Sequence, residues 1–527
     1  MTIGWVEGLR HLYVNPRADR TENVTSKDTH ERKWSRRQYL TGTVAGMAGI
    51  GGVLSLSEAG AAQDGDLAAQ YDTVVDIVDA GADPTGSESI TPVLRDHVDD
   101  NTLIEFPEGR YYMDEQLRFT RFENVGFVGD GATLVPANFH EFEGPQYRLF
   151  RLGTSDRPGR NLRFEGFDID QTASETGIRV INAEVEDGLL VRHVTVHGVH
   201  DSGTWGPGLF NITDPEGEGL VYCFHAPDGA VHVDETPNAG NMWRGATGFG
   251  INQHHRGTLV FENCILGGFP DNGLYASNET GRIGVDGGHY QNSGTASIRL
   301  SGTTGAIRNA TITVNDDPHD SAGQHAIRID RGEEFHIEGV EIDIPEPNGD
   351  AIRVMNPVDE TTISNTEISI GAQPNNGIRL DPETGPAIID DVTVDIDGSA
   401  NALRLLGSDG GAVDVSGLRV TGDAPGTTLR HAIFCERHSC EFTGLDVEQH
   451  GTTRRRGIEL RGSDYRLADS EFETTDTPIV LNGASDVTVE NCYANPASDA
   501  YSLRITGDSG GVQLPANDFP AGVRDDR

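Results

Sequence analysis

Short segments with alternating apolar and polar residues recur along the chain from about residue 170 onward. In each, a small residue is followed by an apolar, a polar and a second apolar residue, as in Ser297-Ile-Arg-Leu300 and Ala351-Ile-Arg-Val354. From Leu274 to Ile479 the first apolar residue recurs at intervals of 21 to 30 residues. Alternation with period two predicts β-strands with one buried face, and the nearly constant interval predicts a stack of similar coils.

Each repeat has a second alternating segment and a polar turn. Glu338-Gly-Val-Glu-Ile-Asp-Ile344 is one such segment, and Pro347-Asn-Gly-Asp350 is one such turn. Turns of Gly, Asn and Asp between short strands are typical of a β-solenoid. A leucine-rich repeat would show a Leu/Asn consensus, and a propeller blade needs about 40 residues. The pattern therefore predicts an all-β fold, a right-handed parallel β-helix.

The segment before the repeats carries three motifs. They are Asp79-Ala-Gly-Ala-Asp-Pro-Thr-Gly86, followed by a helical pattern of apolar Ile90, Val93, Leu94 and Val98; Leu103-Ile-Glu-Phe-Pro-Glu-Gly-Arg-Tyr111; and Val125-Gly-Phe-Val-Gly-Asp-Gly-Ala132. Over roughly residues 72–135 they resemble the N-terminal cap of the pectate-lyase-like superfamily of right-handed parallel β-helices. The resemblance implies a helical cap over the open end of the solenoid, where core and strand edges would otherwise be exposed. It implies no particular reaction, because this fold hosts lyases, hydrolases, epimerases and non-catalytic fibres.

Charge changes the picture of where the chain works. Asp and Glu total 83 against 40 Lys and Arg, a formal net charge of −43, and the two lysines, Lys27 and Lys33, both lie in the first 62 residues. Such self-repulsion destabilises a compact state, and salt relieves it because the Debye length falls to about 3 Å at 1 M. We interpret the acidic composition as adaptation to high salt. It also argues against nucleic-acid binding, which needs a basic surface.

The first residues contain a targeting signal. Ser35-Arg36-Arg37-Gln38-Tyr39-Leu40 is a twin-arginine signature, followed by a Gly-rich apolar run over 41–56 and the small residues Ala59-Gly60-Ala61. The run is shorter than the roughly 20 residues of a membrane span. We therefore predict twin-arginine export to the cell exterior or surface, with no membrane span in the mature chain. The whole chain resembles a broad group of exported haloarchaeal β-helix-repeat proteins.

These features divide the chain into five predicted parts. Residues 1–62 form the leader, 63–135 the cap and first coils, 136–300 coils with a long insertion at 203–250, 301–506 regular coils, and 507–527 a C-terminal tail. The five cysteines cannot all pair. Cys435 and Cys440 are close enough in sequence to form a disulfide, whereas Cys264 and Cys492, both in Glu-Asn-Cys, are predicted to lie in the core.

Aligning the coils predicts one outward column on the solenoid: Arg179, Asn252, Tyr275, Arg299, Arg328, Arg353, Arg379 and Arg404. Because rungs of a parallel sheet are about 4.8 Å apart, successive arginines repel one another by roughly 1 kcal/mol per pair even in water. Two alternatives would offset this repulsion. Carboxylates such as Asp330 and Asp381 interleave with the arginines, or an acidic polymer binds along the column.

A candidate site is predicted where the column meets the insertion. The insertion contains Trp205, Trp243 and Arg244, which together with Asn252, Asn272, Arg328 and Arg353 would bind substrate. His254 or Tyr275 as base, with Arg299 holding a carboxylate, would suit β-elimination from a uronate. Asp201 and Asp271 would instead suit glycoside hydrolysis, at about 5 Å separation on adjacent rungs or about 10 Å two rungs apart.

One further motif is Asp317-Pro-His-Asp320, which resembles the Asp-Pro-His-Glu signature of alginate-type epimerases. It lacks the aromatic residues that precede that signature and ends in Asp. The sequence thus predicts a secreted carbohydrate-active protein that cleaves a polysaccharide, most simply an acidic one, as a lyase or a glycoside hydrolase. The alternative is a non-catalytic surface, adhesion or glycan-binding β-helix. No cofactor is assigned, and Ca²⁺ is left open.

Overall fold

A computed structural model describes residues 67–143, 147–203, 205–237, 242–321, 323–346, 348–371, 375–423, 430–452 and 454–527. The predicted leader, with its twin-arginine signature and both lysines, lies outside these residues. The described chain contains one α-helix, α1 (Thr91–His97), and two short 3-10 helices, Leu67–Gln70 and Val233–Glu235. All of its named strand pairs are parallel and join each coil to the next, which confirms the predicted parallel β-helix.

Two strand-bearing sides run the length of the solenoid, here called sheet 1 and sheet 2. In sheet 2 each described coil contributes one short strand. Its strands are β5 (Leu117–Phe119), β7 (Arg148–Leu152), β9 (Arg179–Val185), β11 (Gly208–Ile212), β13 (Phe249–Ile251), β16 (Asn272–Ala276), β19 (Ala296–Ser301), the first part of β22 (His325–Glu338), β24 (Ile352–Val354), β26 (Asn376–Leu380), β28 (Asn401–Leu405), β31 (His431–Cys435), β34 (Arg456–Leu460), β37 (Ile479–Asn482), β40 (Leu503–Thr506) and β41 (Val523–Asp525).

Sheet 1 has two segments per coil, which are separate strands in some coils and continuous in others. Its strands are the second part of β22 together with β1 (Thr73–Asp76), β2 (Thr85–Ser89), β3 (Thr102–Phe106), β4 (Gly109–Met113), β6 (Glu123–Pro136), β8 (Arg160–Asp170), β10 (Leu189–His197), β12 (Glu218–Ala226), β14 (Thr258–Glu262), β15 (Ile265–Leu266), β17 (Arg282–Asp286), β18 (His289–Gln291), β20 (Thr304–Arg308), β21 (Thr311–Thr313), β23 (Glu341–Ile344), β25 (Val358–Ile370), β27 (Ala387–Ile396), β29 (Val413–Ser416), β30 (Arg419–Thr421), β32 (Glu441–Thr443), β33 (Asp446–Gln449), β35 (Ser463–Ala468), β36 (Glu471–Thr474), β38 (Ser485–Glu490) and β39 (Tyr493–Pro496).

The core is a stack of aliphatic side chains between the two sheets. Leu274 pairs with Ile298, Ile298 with Ile327 and Ile327 with Ile352, and the same register continues to Ile479. Each of these side chains is fully buried, which stabilises the fold by about 1.5–3 kcal/mol per residue. The interval found in the sequence is therefore the length of one coil, and the predicted inward register is confirmed over this range.

Each coil of sheet 1 bends between its two segments through a residue with positive φ. This left-handed conformation disfavours most side chains and tolerates Gly, Asn and Asp. At Gly417 (φ 64°), an added Cβ would lie 2.5 Å from the Asp391 side chain of the preceding coil. The same bend is made by Asn263, Asn309, Asn365, Asp391 and Asn491, with φ between 48° and 53°. Cys264 and Cys492 follow two of these bends and point into the core, as predicted.

The predicted N-terminal helix is present as α1. Ile90, at its N-cap, and Leu94 are fully buried in the core, and Pro92 in the first turn satisfies the local preference for helix initiation. The capping role of this segment stays a prediction.

The region 203–250 differs from the prediction of one long insertion. It contains a complete coil, β11 and β12, and residues 227–248 connect β12 to β13. The alternation in Leu220–Phe224 was obscured in the sequence by the surrounding Gly, Pro and His. Residues 507–527 likewise continue the stack, since β41 pairs with β40 and Gly510 and Gln513 bridge to sheet 1.

Candidate functional site

Arginines on successive coils form a column on the outer face of sheet 2. In the parallel register Arg299 pairs with Arg328, Arg328 with Arg353, Arg353 with Arg379, and Arg379 with Arg404. These five residues are called the arginine column below. Their flanking Ile, Leu and Val residues are buried, so strand alternation directs the arginines outward. The predicted outward register is confirmed from Tyr275 to Arg404.

Asp330 is shared by the first two arginines of the column. Arg299 donates to its Oδ2 from Nε at 2.9 Å and Nη2 at 2.7 Å, and Arg328 donates to its Oδ1 from Nε at 2.7 Å. Burial alone would lower the pKa of Arg299, but the Asp330 charge raises it. One carboxylate thus offsets the repulsion between two neighbouring guanidinium groups.

The same arrangement recurs two coils further on. Asp381 accepts from Nε and Nη2 of Arg353 at 3.2 and 2.9 Å and from Nε of Arg379 at 2.7 Å. Asp350, which is buried, lies 3.9 Å from Arg379, and Arg404 has no ion pair with any described residue. Interleaved carboxylates, one of the two predicted alternatives, are therefore present. These carboxylates are fewer than the five arginines of the column, so they do not balance all of its positive charge.

Two residues predicted for the column lie elsewhere. Arg179 is three residues before Asn182, and Asn182 is the residue in the column register. Asn252 is two residues beyond Gly250, and Gly250 pairs with Tyr275. The connection of residues 227–248 between β12 and β13 interrupts the constant interval on which the alignment depended, so the predicted register before Tyr275 was wrong.

The column register also continues beyond the predicted residues. Toward the N-terminus it passes through non-basic residues and reaches Arg151 and Arg118. Toward the C-terminus it passes through Phe434, Glu459 and Val480 and reaches Arg504 and Arg524. The signal for three of these was present in the sequence, because Leu117-Arg-Phe119, Phe150-Arg-Leu152 and Leu503-Arg-Ile505 repeat the apolar–Arg–apolar triplet. They were missed because other residue types occupy the same position on the coils between them and Tyr275 or Arg404.

A second arginine group lies beside the N-terminal part of this register. Arg148 donates from Nη1 to Asn182 Oδ1 at 2.6 Å, and Arg179 donates from Nε to the Gly206 carbonyl at 3.0 Å. Burial, reinforced by the Arg148 charge and opposed by Glu184, lowers the pKa of Arg179 to about 9. Buried guanidinium groups close together are suited to binding anions. Arg179 was predicted as part of the column and instead belongs to this group.

Asp271, Tyr275 and Arg299 form a group at the start of the arginine column. The Arg299 guanidinium lies over the Tyr275 ring, 4.4 Å from its centroid. Asp271 accepts hydrogen bonds from the Thr247 hydroxyl at 2.9 Å and the Thr295 hydroxyl at 3.2 Å. Burial raises the pKa of Asp271, and the Thr247 hydroxyl and the Arg299 charge partly oppose this. A carboxyl group with a raised pKa is suited to general acid catalysis.

Asp201 is not part of this group. Its carboxylate accepts from the backbone N–H groups of Glu175 at 2.7 Å and Gly177 at 3.0 Å, which fixes the turn before β11. Asp271 precedes β16, and the coil of β13 lies between β11 and β16. They are therefore two rungs apart, about 10 Å at rung spacing, rather than on adjacent rungs at about 5 Å.

His254 lies at the opposite end of the strands from Asp271. β13 ends at Ile251, which pairs with Ala276, so His254 follows the strand end, while Asp271 precedes β16. At about 3.3 Å per residue this places roughly 15 Å between them. The expected proximity of His254 to Tyr275 and Arg299 was based on the misplaced Asn252, and it stays a prediction.

Two predicted substrate-binding asparagines lie at ends of strands in sheet 2. The Asn252 side-chain oxygen accepts from the backbone N–H of His254 at 2.9 Å. The backbone N–H of Asn252 donates to Asn211 Oδ1 at 3.1 Å. Asn272 is fully buried at the start of β16. It therefore cannot contact a polymer on the outer face directly.

Trp205 and Trp243 lie on two successive turns at the Asp271 end of sheet 2. These residues are 49 % and 63 % exposed, and their binding of substrate stays a prediction. Arg244, next to Trp243, donates from Nη2 to the carbonyls of His319 at 3.2 Å and Asp320 at 2.7 Å. Arg244 thus fastens the connection between β12 and β13 to a neighbouring turn, so its guanidinium is partly committed to the structure.

That neighbouring turn contains the Asp-Pro-His-Asp motif. His319 stacks near His232, with ring centroids 6.5 Å apart, and its Nε2 lies 3.3 Å from the Gly268 carbonyl. Asp317 accepts from the backbone N–H of Ser321 at 2.7 Å. Burial lowers the pKa of His319. In this structure the motif holds the turn together, and an epimerase role remains a resemblance.

Metal-binding and membrane-spanning features were sought in the described residues. No group of three or more His, Cys, Asp or Glu side chains there is arranged to hold a metal ion. No helix in the described chain has the length and apolar character needed to cross a membrane.

No protein-family model and no characterised protein sequence matches the chain. Among solved structures, the surface protein and adhesin PfbA of Streptococcus pneumoniae is 11 % identical over 86 % of this chain and 97 % of that chain, with a TM-score of 0.37. The catalytic unit of a GH87 α-1,3-glucanase from Streptomyces thermodiastaticus is 14 % identical over 86 % of this chain and 69 % of that one, with a TM-score of 0.31. A bacteriophage Phi29 gene product 12 fragment is 12 % identical over 82 % and 71 %, with a TM-score of 0.46. At these values the similarities assign no activity.

Proposed function

We propose that the protein is an exported β-helix that binds an acidic polysaccharide along the arginine column. The observation that supports this is the column itself. Five arginines lie on successive rungs and four of them share two aspartates, in a chain whose net charge is −43. The positive charge of the arginine column attracts an anionic polymer. The acidic residues on the rest of the protein repel the polymer, so binding elsewhere is disfavoured.

The column guanidinium groups keep donors for a ligand. An arginine has five N–H donors, and Arg328 and Arg379 each use only Nε in their hydrogen bonds to aspartate. Their side chains are 20 % and 26 % exposed. A planar guanidinium binds a carboxylate in a bidentate manner. Successive carboxylates of a polymer lying parallel to the solenoid axis would therefore meet successive arginines.

High salt does not abolish binding of this kind. Charges in direct contact and partly withdrawn from water are screened less than exposed charges separated by a Debye length. Arg299, with 12 % of its side chain exposed, and Arg353, with 23 %, are withdrawn in this way. Sugar rings would find additional contact on the Tyr275 ring, as pyranose faces stack on aromatic surfaces.

Cleavage of the bound polymer is a second candidate function, favoured by the raised pKa of Asp271. This carboxyl lies beside Tyr275 and Arg299 and could protonate a glycosidic oxygen. A polymer that crosses the Arg299 end of the arginine column would contact it. The exposed Trp205 and Trp243 would form one wall of such a site. Without cleavage, the same column would serve a surface or adhesion protein.

Binding is tested by comparing acidic with neutral polysaccharides. The purified protein, in buffers from 0.5 to 3 M KCl (roughly 4 to 2 Å Debye length), is titrated with polygalacturonate, alginate, a sulfated glycan and a neutral glucan of similar length. We expect binding of an acidic polymer and none of the neutral one. Arg353→Ala should weaken that binding by about fivefold, the equivalent of about 1 kcal/mol, and flatten its salt dependence.

A matched arginine elsewhere provides the control. Arg466 lies on sheet 1 and makes ion pairs with Glu441 and Glu490, so Arg466→Ala changes the net charge equally without altering the column. Equal effects of the two substitutions, or equal binding of neutral and acidic polymers, would contradict the proposal. Analysis of the same mixtures for shortened products separates a binding protein from an enzyme.

A further inference from the structure

Two buried cysteines face each other at one turn of the solenoid. Cys435 is the last residue of β31, and Cys440 directly precedes β32. Their side chains are 0 % and 2 % exposed, and their Sγ atoms are 3.9 Å apart. Among the described residues, which include all five cysteines, no other pair of thiols lies within hydrogen-bonding distance.

We propose that Cys435 and Cys440 form an intrachain disulfide when the protein folds in an oxidising environment. A disulfide needs an S–S distance of about 2.05 Å, so the sulfurs must approach by just under 2 Å. Rotation about the Cα–Cβ bonds of two facing side chains can supply a movement of this size. The proposal depends on this geometry and is independent of the proposed glycan binding.

The turn between the cysteines is held so that the thiols stay opposed. Arg437 is completely buried in it and donates to the carbonyls of Asp381 at 2.9 Å, Gly385 at 3.1 Å and Gly411 at 3.2 Å. A guanidinium that satisfies carbonyls on two preceding coils fixes the residues on either side of it. The turn therefore has little freedom to separate Cys435 from Cys440.

The surroundings also differentiate the two thiols. The Tyr465 hydroxyl lies 3.8 Å from Cys435 Sγ and accepts from the Gly462 N–H at 2.7 Å. Burial alone would raise the pKa of Cys435, but its contact with the Cys440 thiol lowers it, and the Tyr465 hydroxyl donates to the Arg437 carbonyl beside it. Cys435 is thus the sulfur that most readily becomes a thiolate, the form that attacks a disulfide.

The oxidant is a low-molecular-weight disulfide such as oxidised glutathione. The Cys435 thiolate attacks one of its sulfurs and expels the other as a thiolate, which leaves a mixed disulfide on Cys435. The Cys440 thiolate then attacks Cys435 Sγ and expels the second thiolate. The two cysteines lose two electrons and two protons, and the reagent gains them as two thiols. Because both sulfurs are buried in the folded chain, we expect this exchange during folding.

The sequence allows a direct test, because trypsin cleaves after Arg437, between the two cysteines. Protein refolded with oxidised glutathione is denatured, its free thiols are alkylated, and it is digested without reduction. We expect peptides 431–437 and 438–454 joined by one disulfide and separated by a reductant, while Cys223, Cys264 and Cys492 are alkylated. Separate, alkylated forms of both peptides after oxidative refolding would overturn the proposal.

The melting temperature tests whether the disulfide stabilises the folded protein. Adding a reductant during refolding should lower the melting temperature of the wild type, because an intrachain crosslink stabilises the folded state relative to the unfolded chain. Cys440→Ser should melt at the same temperature with and without reductant. Cys492→Ser, which replaces another buried cysteine, should keep the wild-type response. A wild-type melting temperature that is unaffected by reductant, together with unlinked peptides, would exclude the disulfide.

Discussion

Asp330 accepts two hydrogen bonds from Arg299 through one carboxylate oxygen, and its other oxygen accepts from Arg328. The two arginines are on neighbouring rungs, so this one carboxylate separates charges that would otherwise face each other across about 4.8 Å. A ligand carboxylate approaching the column must compete with Asp330 for the same donors. The residue therefore has opposite effects on folding and on binding of an anion.

Replacing this aspartate should separate the two effects. In Asp330→Asn the repulsion between Arg299 and Arg328 is no longer offset, and we expect the free energy of unfolding to fall by about 1–3 kcal/mol. Because both guanidinium groups gain available donors, affinity for an acidic polysaccharide should rise. Chemical denaturation measures the first change and calorimetric titration the second. Asp343→Asn, in an exposed position of sheet 1, is the charge-matched control. A loss of affinity in Asp330→Asn would show that Asp330 helps bind the ligand or orders the column.

His255 predicts how stability depends on pH. It is fully buried, its Nδ1 accepts from the Ile212 N–H at 3.1 Å, and its Nε2 faces the Arg282 carbonyl at 3.3 Å. The ring is therefore neutral with its proton on Nε2, and burial lowers its pKa to about 4. The unfolded chain takes up the proton below pH 6.5, so the contribution of His255 is complete above that pH and is lost as the pH falls toward 4. The expected loss is about 3 kcal/mol.

Denaturant unfolding from pH 7 to pH 4 tests this dependence. In His255→Asn, stability at pH 7 should fall, because the Ile212 N–H loses its partner, and the slope with pH should decrease. The slope should not vanish, since burial also lowers the pKa of His325 to about 4. An unchanged slope in His255→Asn would mean that the buried ring does not control the response.

Neighbouring glutamates on sheet 1 predict a local dependence on salt. Glu334 and Glu360 are paired on adjacent rungs, and burial together with the Glu334 charge raises the pKa of Glu360. Their repulsion weakens as salt shortens the Debye length. Glu360→Gln should therefore raise the free energy of unfolding by about 0.5–1 kcal/mol at 0.1 M salt and have almost no effect at 2 M. A gain that is independent of salt would point to packing rather than charge.

The sequence contained enough information for the coil register between Leu274 and Ile479, because every coil there places one apolar residue against the same residue of the next. Because strand residues alternate between the two faces, the same register correctly predicted that Tyr275 and Arg299 lie on the outer face. Before Tyr275, the connection of residues 227–248 removed the constant interval, and Asn252 and Arg179 were aligned to the wrong positions along their coils. The constant interval predicts which residues pair only between coils of similar length. After a connection of a different length, the interval no longer predicts the register.

The site was predicted less completely than the fold. Residue type suggested catalysis for Asp201 and Asp271 equally, but only contacts distinguish them. Asp201 accepts from backbone N–H groups of the preceding coil, whereas Asp271 accepts from two hydroxyls beside Arg299. His254 follows the end of β13, whereas Asp271 precedes the start of β16. These facts depend on how turns of different length stack, and the strand pattern does not contain them.

If an acidic polymer is cleaved at the Arg299 end of the arginine column, its products should distinguish hydrolysis from elimination. Hydrolysis with Asp271 as general acid gives new reducing ends without ultraviolet absorption, and Asp271→Asn should abolish it. Because burial raises the pKa of Asp271, its protonated form persists to higher pH than that of an ordinary aspartic acid, and activity should fall as the pH rises through that pKa. Elimination with Tyr275 as base gives ultraviolet-absorbing unsaturated ends, and Tyr275→Phe should abolish it. His254→Ala is the matched control, since His254 lies at the far end of the strands and should leave either activity unchanged. Loss of activity in His254→Ala, with Asp271→Asn active, would place the reaction at the opposite edge of sheet 2.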